Sequence, residues 1–529
     1  MSNGPTGSDI AMQAAVASPA EPAAGMTTRV ARGSLWTLGG QGAVMLALLV
    51  STPFVIRLLG PEAYGVLALV NVLISYLLFA DMGMGNASTR FAAAAHAHQD
   101  DRGEVAVVWT SLLIALVPAT LAALTLTFLA EPVVVRLLRV PARLHNEAIL
   151  ALRVTAVAFV ARTAASVLNT PQLVRLRMDL SAYINAGTLT LQNLLIPIAL
   201  MLRGELVTVV SVIAGFAIAA ASLHLVVSRR LQPLLFRPRI DTALVRPLVR
   251  FGGGLVISTL AAMVLLNAEK VLLARFASVV ALAHYSIAFS LSSLLTVVPG
   301  AISQSLLPAF SRMQSSREHE RLQQLYARAL RGNLLWIAPA ALLLCAVAKP
   351  LLTLWAGPEY SQQSALPFYI LVCGVFFNVL ATVPYTLLIA YGRSDLVARV
   401  HLLELVPYIA CAFVLTYSFG ATGAAIAYSA RLIVDAMLFF FAARRMKFSL
   451  SLIPSNRLSY AAAIAGLWAP VLLSFSAAAP SPAALAGVTA LSSLVYVCLT
   501  WKKVLTDEER AWVNSLIPYP KRRPAASGA

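Results

Sequence analysis

Apolar residues run along this chain in blocks of about 20, the length at which a helix crosses ~30 Å of hydrocarbon. Short polar stretches separate the blocks. The pattern predicts about fourteen membrane spans, near 34–57, 62–80, 105–129, 147–169, 183–202, 206–227, 252–274, 280–304, 333–355, 366–391, 398–418, 421–443, 460–478 and 484–501. The turn that sets this rhythm is Arg57-Leu-Leu-Gly-Pro-Glu-Ala-Tyr-Gly65. There one apolar helix closes, the chain reverses at Gly60-Pro61, and the next helix opens. Two polar intervals keep a helical character: Asn86–Gly103, rich in alanine, and Arg312–Arg331, with Leu322, Leu325 and Leu330 among charges. Both predict amphipathic helices on the cytoplasmic face.

Each amphipathic interval follows the second span of a half. Shifting the first half by 218 residues puts Arg57 on Arg275, Gly65 on Ala283 and Leu67 on Tyr285 without gaps. The predicted organisation is a disordered tail (1–28), a six-helix lobe (29–230), a basic cytoplasmic linker (231–250), a second six-helix lobe (251–445), two added spans (446–501) and a basic cytoplasmic tail (502–529). The fold class is an all-α polytopic membrane protein with two pseudo-symmetric lobes, a plan that sets a substrate path between halves.

Composition agrees. Hydrophobic residues make up 59% and charged residues 12%, against about 25% charged in soluble proteins. The net charge of +18 would point to nucleic acid in a soluble chain. Here roughly 29 Lys and Arg fall in inner loops and tails and about 8 in outer ones, so they set orientation and put both termini in the cytoplasm. No basic domain stands apart to bind nucleic acid. One loop, with Arg136, Arg139 and Arg143, runs against the bias. The four cysteines lie in apolar spans without CxxC spacing and the histidines are scattered, so no metal, cofactor or catalytic set is expected.

Leu59-Gly60-Pro61-Glu62-Ala63-Tyr64-Gly65, Asp81-Met82-Gly83 with Arg90 after it, Glu269-Lys270 ahead of Arg275-Phe276, and Tyr285-Ser286-Ile287-Ala288 carry a resemblance. On these motifs the chain resembles the polysaccharide (O-antigen type) flippases of the multidrug/oligosaccharidyl-lipid/polysaccharide exporter superfamily. Glu269 and Ala283 stand where that family usually has Asp and Gly. The resemblance implies a MATE-like V of two lobes around a hydrated cationic cavity in the bacterial inner membrane. It also implies a flippase that moves an undecaprenyl-diphosphate-linked oligosaccharide from the cytoplasmic to the periplasmic leaflet by alternating access, for O-antigen, capsule or exopolysaccharide synthesis. Membrane lipid surrounds it, and polysaccharide polymerase and chain-length proteins are candidate partners. The rivals are a lipid II flippase or a cation-coupled drug exporter of the same superfamily. A membrane glycan polymerase or ligase calls for a large periplasmic loop that the pattern lacks. Deep charges argue against a receptor or scaffold without transport.

A diphosphate crosses hydrocarbon only beside cations in a wet cleft, and a charge at mid-membrane costs ~2.5–3.5 kcal/mol, so deep charges need a partner or a cavity. Lys270 and Arg162 are the leading substrate-binding candidates; the alternative for Lys270 is snorkelling to the outer surface. Arg153, two and a half turns from Arg162, points to the opposite face. Arg431 and Asp435 share a helix face as a self-neutralised pair or a substrate site. Arg57 and Arg275 anchor the outer interface or grip substrate, and Arg90 joins the substrate-binding set. Glu269, Asp435 and Glu404 are candidates for ion coupling or gating, with a hydrogen-bonded structural acid as the alternative for Glu404. Asp81 either caps the next helix or closes an inner gate. Asn71, Asn193, Asn267 and Asn378 could meet sugar hydroxyls or bond between helices.

Overall fold

A computed structural model describes residues 23–77, 83–315, 318–448, 465–466, 482–505 and 510. Those residues are helical, with no strand among them, as lipid demands of a chain that must satisfy its backbone internally. The long helices are α1 (Ala23–Leu77), α2 (Met84–Ala97), α3 (Asp101–Pro132), α4 (His145–Leu168), the single turn α5 (Thr170–Val174), α6 (Met178–Leu202), α7 (Leu206–Leu231), α8 (Thr242–Phe276), α9 (Val279–Ser293), α10 (Val297–Ser315), α11 (His319–Trp355), α12 (Pro358–Ala390), α13 (Ser394–Arg445) and α14 (Pro482–Leu499). Nine stretches among the described residues are long and apolar enough to cross a membrane. Two of them, in α1 and α13, break at Gly60 and Gly420, where the hydrophobic pattern separates spans one from two and eleven from twelve. Of span 460–478 only residues 465–466 are described, Asp81 lies outside the described residues, and the tail expected to be disordered to residue 28 is helical from Ala23.

The motif at 59–65 is explained residue by residue. Gly60 takes φ 74° and ψ 170°, a region open essentially to glycine, and Pro61 then starts the next helical run with its φ already set. Glu62 accepts a hydrogen bond from Arg143 Nε at 2.7 Å, which ties the loop that breaks the charge bias to this turn. A Cβ on Gly65 would overlap the Val279 carbonyl, so glycine lets α1 pass against the first residue of α9. Gly60→Ala is expected to cost ~1–3 kcal/mol through backbone strain, read as a lowered thermal midpoint of the purified protein. A midpoint equal to wild type would show that the turn relaxes.

Helix boundaries recur at the 218-residue offset. Pro61 opens the second run of α1 and Val279 opens α9; α2 ends at Ala97 and α10 at Ser315; α3 starts at Asp101 and α11 at His319. The two polar intervals part company here. The first forms α2 and then a turn, with Asp100 capping α3 by accepting from Gly103 N at 2.8 Å. The second does not form a separate surface helix. Residues 319–331 are the opening turns of α11, because Leu322, Tyr326 and Leu330 bury themselves against Phe310, Leu387 and Phe448. Burial of that stripe outweighs the interfacial position its charges suggested.

The chain divides into two compact units, residues 1–287 with 401–427, and residues 288–400 with 428–529. In the first, Met84, Ala87, Val108, Leu112 and Val167 form a core under α2, with Leu235 and Leu248. In the second, the core built on Phe310 and Leu387 dominates.

Candidate functional site

Within the first unit, α2, α4, α6 and α7 surround a cavity of about 470 Å³. Arg162 on α4 enters it half-buried, beside Asn86 and Thr89 from α2, Ser166 one turn along α4, Asn169 just past its end, and Asn185, Thr188 and Gln192 from α6. Among the described residues, no hydrogen bond or ion pair reaches the Arg162 guanidinium. A cation at that depth is tolerable where it faces water or an anion. Its five donors fit phosphate oxygens in a fork, and the amides and hydroxyls around it can exchange bonds with water or sugar. Arg153, by contrast, is exposed on the other face of α4.

Behind the cavity wall runs a buried relay. Gln172 Nε2 donates to His224 Nδ1 at 3.1 Å and to Ser228 Oγ at 3.2 Å; Ser228 donates to the Leu168 carbonyl at 2.6 Å. Because Nδ1 receives that bond, the neutral ring keeps its proton on Nε2 and gives it to Asn185 Oδ1 at 3.3 Å. Asn185 is thereby fixed with its amide nitrogen toward Ser181, 3.3 Å away. Beyond this relay, Glu104 is fully buried and receives both Arg175 nitrogens, at 2.5 and 3.2 Å, and Gln232 Nε2 at 3.3 Å, with His96 Nδ1 at 3.2 Å. One carboxylate thus joins the end of α2, the start of α3, the residue after α5 and the end of α7.

The other predicted residues lie elsewhere, and none of Arg57, Arg90, Lys270 or Arg275 lines the Arg162 cavity. Glu269 and Lys270 are buried and find separate partners. Glu269 accepts from Tyr285 Oη at 3.1 Å and Tyr408 Oη at 2.6 Å, while Lys270 Nζ donates to Asn267 Oδ1 at 3.0 Å and the Leu266 carbonyl at 3.1 Å. Glu404, one turn before Tyr408 on α13, is also buried. Arg431 lies over the Tyr428 ring at 5.1 Å, one turn before the buried Asp435. Arg90 covers Phe251 at 4.6 Å, Arg275 covers Phe276 at 5.5 Å, and Arg57 is exposed. Asn193 turns back to the Leu189 carbonyl at 2.9 Å, outside the cavity that its neighbour Gln192 lines.

Asn185, Gln192, His224 and Tyr408 were missed as candidates. The first two were visible as a stripe: Ser181, Asn185, Thr188 and Gln192 recur at helical spacing on one face of an otherwise apolar span. His224 gave no signal, since its partners come from other helices.

A half-buried cation facing a cavity, inside a bundle of membrane-length helices, fits the class of membrane transporters. The fold is that of solved multidrug and lipid exporters. An inward-facing MATE family transporter of the MOP superfamily superposes at TM-score 0.63 with 14% identity, over 76% of this chain and 94% of that one. The lipid II flippase MurJ in an inward closed conformation superposes at TM-score 0.63 with 12% identity, over 93% and 99%. The chain belongs to the polysaccharide biosynthesis protein family, whose model matches residues 54–365. It is 25% identical to a candidate O-antigen transporter of Shigella flexneri over 77% of this chain and 96% of that protein.

Proposed function

We propose that this protein turns an undecaprenyl-diphosphate-linked oligosaccharide from the cytoplasmic to the periplasmic leaflet of the bacterial inner membrane by alternating access. The observation that carries this reading is Arg162, a cation held among amides and hydroxyls in a cavity completed by Leu173, Leu189, Phe216 and small residues. A cation beside amides and hydroxyls suits an anionic head bearing hydroxyls, and its charge repels the cations that a drug exporter carries. Similarity to the O-antigen transporter candidate supports a glycan rather than a drug. Glu269, held by two tyrosine hydroxyls, is the acid best placed to couple transport to an ion, with Glu404 and Asp435 as further candidates. Lys270, Arg431, Arg57, Arg275 and Arg90 complete the cations available to the head on its way. The matched helix boundaries at the 218-residue offset support two lobes of common plan.

In this reading the loop charges put both termini in the cytoplasm. A reporter fused after Lys502 is expected to be active only on the cytoplasmic side, and periplasmic activity would refute the topology. The function itself is tested by deleting the gene, isolating the lipid-linked sugar that accumulates, and reconstituting it with the purified protein in vesicles. Protein-dependent appearance of the sugar at the opposite face is expected. Movement no faster than in protein-free vesicles would overturn the assignment.

A further inference from the structure

The Arg162 cavity is not isolated. A second, more apolar groove of about 580 Å³ lies between α1 and α6 and shares Leu173, Asn185 and Leu189 with it. On the α1 side its wall is Gln41, Val44, Met45 and Leu48, at the spacing of one helix face and apolar beyond Gln41. The two helices touch where Gly40 meets Ala186, at 2.7 Å from an added Cβ, and Ala186 also lines the groove. Leu48 is 49% exposed, so the groove is open to the surroundings of the helix rather than sealed.

An anion receptor opening sideways into an apolar channel matches a ligand with a charged head and one long hydrocarbon chain. We infer that the α1/α6 groove holds the head-proximal isoprenoid units of the carrier lipid while the diphosphate occupies the Arg162 cavity. This rests on the functional reading above and adds to it the place and chemistry of the tail. Asn185 stands at the junction, oriented by His224, where the polar head gives way to hydrocarbon. The groove follows a single helix pair and so takes one chain, which favours a polyprenyl lipid over a two-chain phospholipid. In the topology that the loop charges set, Asn185–Leu189 lie in the cytoplasmic half of span 183–202 and Val44–Leu48 at the middle of span 34–57. The head end of the tail is thus met on the side where the lipid-linked sugar is made, with the groove reaching to the middle of the bilayer.

The test uses the full-length protein in nanodiscs and two probes with the same diphosphate group, undecaprenyl diphosphate and inorganic diphosphate, which has no chain. Leu48→Trp and Val44→Trp fill the groove, and Leu46→Trp, at a position 65% exposed and outside the groove, controls for bulk. Each groove variant is expected to weaken undecaprenyl diphosphate at least ~10-fold through lost apolar burial, with inorganic diphosphate changed less than about two-fold. Retained inorganic diphosphate binding certifies that a variant is folded. Wild-type affinity for the long chain in both groove variants overturns the groove, as does equal displacement of undecaprenyl diphosphate by phosphatidylglycerol. Arg162→Gln separates the two levels. If it loses both probes while Leu48→Trp is silent, only the groove is wrong. If wild type binds neither probe, or Arg162→Gln binds both as wild type does, the head site falls and the groove with it.

Discussion

Arg162→Ala is expected to abolish export of surface glycan while the protein stays in the membrane, and Lys270→Ala to do the same. Each charge-assisted hydrogen bond to a phosphate contributes ~1.5–3 kcal/mol, so losing two from one guanidinium reduces occupancy by on the order of 100-fold or more. The Arg162 cavity offers amides and hydroxyls but no second cation among its lining residues, which leaves nothing to compensate. Arg162→Lys should fall between, since it keeps the charge and loses the fork. Polymer is followed on gels of surface polysaccharide, and protein by immunoblot of the membrane fraction. Normal polymer in both alanine variants would remove these residues from the mechanism.

The largest effect on stability is expected at Glu104. Its carboxylate is fully buried and carries Arg175, Gln232 and His96 together. Removing one member of a buried pair leaves the other charge without compensation, at a cost of ~3–5 kcal/mol. Glu104→Ala should therefore lower the thermal midpoint of the detergent-purified protein markedly. Glu104→Ala combined with Arg175→Met should recover much of the loss, because both charges then leave. An unchanged midpoint in the single variant would show that the cluster is dispensable.

The fold was largely legible because its signals are local. Membrane spans announce themselves by length and apolarity, and the breaks at Gly60 and Gly420 fall where glycine and the changing pattern put them. The segment 312–331 misled for the same reason. Its charges are local, whereas the burial of Leu322 and Leu330 depends on Phe310 of α10, Leu387 of α12 and Phe448 just past the end of α13. The candidate site divides along that line too. Arg162 stood out as a cation in an apolar span. The residues that make a cavity around it are uncharged, and their roles come from convergence: Asn86 from α2, Asn185 and Gln192 from α6, with His224 of α7 holding Asn185 from behind the wall. Lys270 and Glu269 drew notice by charge, yet Tyr408, which holds Glu269, lies 139 residues away.

The polar stripe of α6 bears on biogenesis. A helix carrying Ser181, Asn185, Thr188 and Gln192 on one side, preceded by one with Arg153 and Arg162, partitions poorly into lipid when released alone. Thr188 and the Asn185 amide nitrogen find partners within α6 itself, but the Asn185 oxygen meets His224 only once α7 arrives. Insertion of α6 is thereby favoured when α4 and α7 are at hand to cover its polar face.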